Sequence, residues 1–364
     1  MTESPDETSP DSSTYASLKA ARNLISAEGG KVAPLSLSEE ELNPPLPDDL
    51  ELQVAPLESM DSSYQVPYDY PKDSGSTEFG YFEDGKQRTV QIGYIPCTYG
   101  NHEIIIPVHY FSVAAVILQR EDRRLRIWKQ PIIRNGILVQ RSLLPNQALL
   151  EEYEANGLLV VGTRGDSNDY YNLRRQALQE AKSQRLSVEN ELIGRWVESS
   201  VPTGSFLVVD GTLMNLRNED SVERCVGVSK SFGSRYFSTS DHNRILQMKE
   251  FHRSWAFKFH GEEDDTRLGG RERVSWYLRL RSKELADPEF GLVRVEISQR
   301  HVAEASQLAD QLSRSLISER LPTSYPRPRW DKHLYPICEC ENYLASVMPA
   351  MSTIQASMSG GPTL

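Results

Sequence analysis

Seven residues, Phe206-Leu-Val-Val-Asp-Gly-Thr212, restrict the fold of this chain more than any other stretch. Four consecutive apolar residues, two of them β-branched, read as a short strand buried on both faces. The strand ends in a carboxylate followed at once by glycine. Ligands of open α/β sheets gather beyond the carboxyl ends of strands, which makes Asp210 a candidate site residue. Asp-Gly is also a common turn dipeptide, and a turn alone accounts for it. Asp210 becomes informative only if other residues converge on it.

The chain of 364 residues has room for one large domain or two ordinary ones. No run reaches the roughly 18 apolar residues of a spanning helix, so no membrane partner is expected. The polar, acidic opening Met1–Glu7 lacks the pattern of a secretory signal, and a cytoplasmic setting is expected. Four scattered cysteines (Cys97, Cys225, Cys338, Cys340) fit reduced thiols better than a disulfide framework. Cys338-x-Cys340 has the wrong spacing for a zinc knuckle. The net charge of −11 argues against a nucleic-acid partner, but the first 80 residues carry 16 acidic and 4 basic side chains. The remainder holds 35 acidic and 36 basic side chains, a balance that permits a local groove for phosphates.

Three regions follow from composition. Residues 1–77 form an acidic arm rich in Ser and Pro, expected to be largely disordered. One short helix, Tyr15–Ala27, is expected within it through Leu18, Ala21, Leu24 and Ile25, either to dock a partner or to pack on its own domain. Residues 78–348 read as the folded domain, and 349–364 as a flexible tail. The domain opens with Phe79 to Gly85, which contains a second Asp-Gly, at Asp84. Strand-like runs follow at 89–95, 104–118, interrupted at Pro107, and 125–128. Residues 131–168 show no clear period.

A long polar helix pattern spans Tyr170 to Val197, with Leu186, Leu192, Ile193 and Trp196 on one stripe. Glu189 falls inside that stripe. A carboxylate on a buried face is costly unless paired or bound to a cation, although an ion pair with Arg185 one turn back would also satisfy it. Beyond the Phe206–Asp210 strand lie Arg224–Lys230, 255–259, 274–280 and 292–297. The last two alternate as half-buried strands do. A helix over 301–317 is expected to serve core or dimer packing, and a Pro-rich connector leads to a final helix near 339–348.

Three strands, a helix and a buried strand, in that order, are the core of an α/β, ribonuclease-H-like mixed sheet with flanking helices. In that arrangement Asp84, a helix carboxylate and Asp210 meet. Clustered carboxylates need a cation, because like charges at close range cannot all stay ionised. Oxygen ligands select Mn²⁺ or Mg²⁺, and two such ions would support phosphodiester cleavage.

Six motifs occur in order: Asp84-Gly85, Leu207-Val-Val-Asp-Gly-Thr-Leu213, Val226-Gly-Val-Ser-Lys-Ser231, Trp276-Tyr-Leu-Arg-Leu280, Val293-Arg-Val-Glu296 and Tyr325-Pro-Arg-Pro-Arg-Trp-Asp-Lys-His333. On these the chain bears, over roughly residues 79–345, a resemblance to the NurA nucleases. It implies a metal-dependent DNA nuclease, a 5′–3′ exonuclease and single-strand endonuclease. Such an enzyme would act as a homodimer beside a HerA-like hexameric ATPase in DNA end processing, repair or defence against phage. By resemblance Asp84, Glu189, Asp210 and His333 would hold Mn²⁺ or Mg²⁺, and Tyr325 would complete the catalytic set. Glu180 and Glu191 remain alternatives to Glu189. Lys86 stands where the family has Ser, which keeps open a second expectation: a catalytically inactive NurA-like scaffold that binds DNA or the ATPase.

Three cations complete the candidate site. Lys230, at a strand end, would contact phosphate or simply be solvated. Arg279 and Arg294 would line a substrate groove or form structural ion pairs with Glu296. His333 would ligate the metal or cap the final helix.

Overall fold

The computed structural model describes residues 10–37, 54–73, 75, 77–163, 167–202, 205–216, 222–231, 236–259, 273–283, 286–322 and 329–359. It is an α/β structure in which helices flank one large mixed sheet. The chain begins with α1 (Pro10–Ala27), β1 (Lys31–Leu37), β2 (Val54–Pro56) and β3 (Tyr64–Gln65). Two very long strands follow, β4 (Phe79–Tyr99) and β5 (His102–Glu121), and then β6 (Arg124–Ile127). The segment without a clear period contains β7 (Ile132–Val139), α2 (Gln147–Ala155) and β8 (Val160–Gly162). Next come α3 (Tyr170–Val197), β9 (Phe206–Asp210), β10 (Cys225–Ser229), α4 (Thr239–Leu246), β11 (His252–Arg253) and β12 (Phe257–Phe259). The order ends with β13 (Arg273–Arg279), β14 (Leu292–Ser298), α5 (Ala305–Glu319), α6 (Tyr335–Val347) and α7 (Met351–Ser359).

The main strand order is β2-β12-β13-β14-β10-β9-β4-β5-β7-β8. β9 lies between β4 and β10 and runs parallel to both. β5 is antiparallel to β4 and β7. As the apolar run requires, Leu207, Val208 and Val209 of β9 are all buried. Successive side chains alternate across the sheet. Val208 joins a core with Phe82, Trp276 and residues of α5 and α6, whereas Leu207 and Val209 join one with Tyr81 and Trp196 of α3. The centre of the sheet is thus covered by α3 on one face and by α5 and α6 on the other.

Several expectations are corrected. β5 runs unbroken through Pro107, which pairs opposite Tyr94. Pairing with β7 stops at His109, so Pro107 sits where β5 is an edge on that side and a missing N–H is tolerated. β13 and β14 are buried along their whole length rather than half-buried. Their second face is covered by a further aromatic core that includes Phe237, Trp255 and Phe257.

The arm and tail are also more ordered than composition implied. Leu18, Ala21, Leu24 and Ile25 of α1 are fully buried in a core shared with α2, with the distal halves of β4 and β5, and with Ile354 and Met358 of α7. β1 pairs with β4, and β2 with β12. Polar composition disguised α1 and α7 because each contributes only a narrow apolar stripe to a core built by distant residues. Residues 1–9 and 38–53 of the arm lie outside the described residues. Among the described residues, no helix is long and apolar enough to cross a membrane.

Candidate metal centre

Asp84 sits inside β4, paired across to Val116, and not in a turn. The adjacent Gly85 is required for a different reason. A Cβ there would lie 1.8 Å from Glu189 Oε1, so the missing side chain leaves space for the α3 carboxylate to lie against the strand. Since side chains alternate along a strand, Glu189 approaches from the face opposite to Asp84. Glu189 also keeps its ion pair, 2.5 Å from Arg185 Nη1, with only 13% of its side chain exposed.

Asp210 ends β9, and Gly211 follows with φ +118°, a conformation that only glycine adopts readily. The dipeptide is therefore a turn that leaves Asp210 at the carboxyl end of β9. The loop beyond it is braced by Glu296, which accepts from Thr212 Oγ1 at 2.8 Å and from the Leu213 amide at 2.9 Å. Arg294 Nη2 in turn donates to Glu296 at 2.7 Å, and Nη1 to the Tyr236 hydroxyl at 2.6 Å. Arg294 thus supports the loop from within the core. Arg279 is fully buried and donates to the carbonyls of Phe290 and Leu246, a structural role away from the carboxylates.

Among the described residues, three carboxylates converge: oxygen atoms of Asp84, Asp210 and Glu341 all lie within 4.8 Å of one another. They come from β4, β9 and α6. The third member differs from the expected set, because Glu189 does not join this group. Of the other helix carboxylates considered, Glu180 is buried and accepts from Gln184, and Glu191 pairs with Arg134 and Arg195. Glu341 escaped the sequence reading although a signal existed. It lies four residues after Ile337 and three before Leu344, both buried, the same placement on an apolar stripe that singled out Glu189.

Lys230 is not solvated. It is 7% exposed, and its Nζ lies 2.9 Å from the Asp210 carboxylate and 3.8 Å from Glu341 Oε1. His333, also buried, places Nδ1 3.7 Å from Glu341 Oε1, so it borders the cluster through that residue. Tyr325 lies outside the described residues.

Burial and crowding decide the electrostatics. Asp84 is pushed well above the usual carboxylate range, first by burial and then by Asp210, with Lys230 opposing. Glu83, buried beside it, rises for the same first reason and then through Glu189. Glu189 is raised to about 7 by burial and by Asp210, against the pull of Arg185. Burial disfavours the Lys230 charge, yet Asp210, Asp84 and Glu341 more than offset it and raise its proton affinity. A centre that raises its acids and its lysine together is short of positive charge.

A pocket of about 440 Å³ opens over this centre, lined by Glu189, Asp210, Glu341, Lys182, Arg185 and Arg329 among others. No protein-family model matches the chain, and comparison with curated proteins likewise finds no match.

Proposed function

We propose that the protein is a divalent-cation-dependent phosphodiesterase acting on DNA. The observation that carries this reading is the meeting of Asp84, Asp210 and Glu341 within 4.8 Å at the carboxyl end of β9, beneath a pocket with cationic walls. The donor set fits the cation: three carboxylates offer hard oxygens, which suit Mg²⁺ or Mn²⁺. When bound, such an ion supplies activation of water and stabilisation of the leaving oxygen. Lys230, Arg185 and Arg329 would hold the phosphate. Glu189, with a proton affinity near neutrality, is suited to take a proton from the attacking water through its carboxylate.

The central order β7-β5-β4-β9-β10, with β9 and β10 parallel to β4 and α3 preceding β9, supports a ribonuclease-H-like core. Finer assignments rest on the resemblance to NurA nucleases alone: 5′–3′ exonuclease and single-strand endonuclease activity, two Mn²⁺ or Mg²⁺ ions, a homodimer, a HerA-like hexameric ATPase and a cytoplasmic setting.

The test is cleavage of labelled single- and double-stranded DNA with and without Mn²⁺. Asp210→Asn should reduce metal-dependent cleavage by about a hundredfold or more, with the fold checked by circular dichroism. Cleavage at the wild-type rate by a folded Asp210→Asn protein would overturn the mechanism.

One observation favours a second reading, a non-catalytic scaffold that binds DNA or the ATPase. Lys230 already places an ammonium 2.9 Å from Asp210 and so meets part of the need for positive charge without a metal. Calorimetric titration with Mn²⁺ separates the two, since the scaffold predicts no binding at millimolar ion.

A further inference from the structure

The hydroxyl of Tyr170 donates to or accepts from Gln91 of β4 at 3.0–3.2 Å, which fixes the first turn of α3 to the sheet. The next residue, Tyr171, is left 74% exposed. From Tyr171 the positions 174, 175, 178, 182, 185 and 189 recur at intervals of three and four, so they share one face of the helix. That face carries Arg174, Arg175, Lys182 and Arg185, and it ends in Glu189 at the pocket. At about 1.5 Å per residue, it runs roughly 27 Å from the exposed ring to the carboxylates.

The charge of this face is not balanced locally. Glu189 is its one carboxylate and is taken up by Arg185. Glu180 faces the sheet, Glu191 belongs to Arg134 and Arg195, and Asp169 caps the helix by accepting from the Asn172 amide at 2.9 Å. Arg175 and Lys182 are exposed. A merely solvated surface has no reason to align its cations on one stripe that descends into a pocket.

We infer that this face of α3 is the track of a single nucleic-acid strand, its phosphates held by Arg174, Arg175, Lys182 and Arg185 and an unpaired base stacked on Tyr171. Cations in a row follow a phosphate backbone, and an exposed aromatic ring offers a stacking platform that paired bases cannot reach. The polarity of the track, toward the acid cluster, rests on the phosphodiesterase reading. Binding to the track does not.

The experiment measures anisotropy of a short labelled single strand on the full chain in chelator, so that no cleavage occurs, between about 50 and 200 mM salt. DNA and RNA strands form two arms, and a duplex of the same sequence a third. Replacing Arg175 and Lys182 together by Gln should weaken binding about tenfold at 0.1 M salt and reduce the log–log salt slope by about 1.4, about 0.7 per phosphate contact. Tyr171→Ala should weaken single-strand binding about tenfold and leave the slope unchanged. Lys72→Gln, at an exposed lysine far along the chain, should change neither. Shifts of this kind on either DNA or RNA support the track. Wild-type affinity and slope in the double variant overturn it, as does tighter duplex binding that Tyr171→Ala leaves unaltered. If wild-type protein still cleaves with Mn²⁺, those results remove the track and leave the nuclease reading standing.

Discussion

A methyl group at position 85 would meet three atoms of the Glu189 carboxylate arm within 2.7 Å, the nearest at 1.8 Å. Gly85→Ala must therefore drive Glu189 from its place beside Arg185 or move α3 away from β4. Overpacking of this kind costs about 1–3 kcal/mol. The expected outcome is a lower denaturant midpoint together with reduced cleavage. Adding Glu189→Ala in the same chain should restore much of the stability and none of the activity. Unchanged stability in Gly85→Ala would mean that the helix carboxylate does not lie over the strand. At this scale the sequence was legible where a residue broke its own pattern. Glu189 and Asp210 stood out as acids among apolar positions and Asp84 as a second Asp-Gly, and Glu341 would have stood out by the test that found Glu189. Lys230 was not legible as a buried cation, because its counter-charges lie on three other segments.

Among the elements, β9 was readable because an internal strand of a mixed sheet is apolar at every position. β13 and β14 were misread because Arg273, Arg279, Arg294 and Glu296 look like solvent-facing positions, whereas all four are buried. Alternation in sequence reports chemistry, and only packing shows whether a polar face meets water or partners. α1 and α7 form a distinct unit at the distal end of the long hairpin, where Ile354 is fully buried against the core that holds Leu24. Ile354→Ala should cost about 2–5 kcal/mol in equilibrium unfolding. It should leave Mn²⁺ affinity unchanged, since that core contains none of the three carboxylates. A loss of metal binding in a folded Ile354→Ala protein would show the two regions to be coupled.

For the whole molecule, two buried groups give opposite pH dependences. His109 is lowered to about 3 from its ordinary 6.5 by burial, with Arg174 adding to the effect. Its contribution to stability is present above pH 6.5 and lost as pH falls toward 3, because the unfolded chain then binds a proton that the folded chain refuses. The loss approaches about 1.4 kcal/mol per pH unit and amounts to about 2 kcal/mol between pH 6.5 and 4.5. Glu189, raised to about 7 from 4.5, acts in the other direction: its contribution is full below pH 4.5 and is lost as pH rises through 7. His109→Gln should therefore flatten the acid limb of a stability–pH curve measured by urea unfolding. An acid limb as steep as that of wild type would show that His109 is not held neutral in the fold.

The three carboxylates stand at positions 84, 210 and 341, on strands and a helix that local contacts cannot bring together. β4 meets β9 only after Phe79 finds Phe206 across more than a hundred intervening residues. Such long-range closure is slow, and it follows the faster formation of the β4–β5 hairpin. During synthesis, β4 emerges with one edge waiting for a partner not yet made, and Asp84 waits with it. The acid cluster can therefore form only after residue 341 has left the ribosome, and a half-made chain does not contain it.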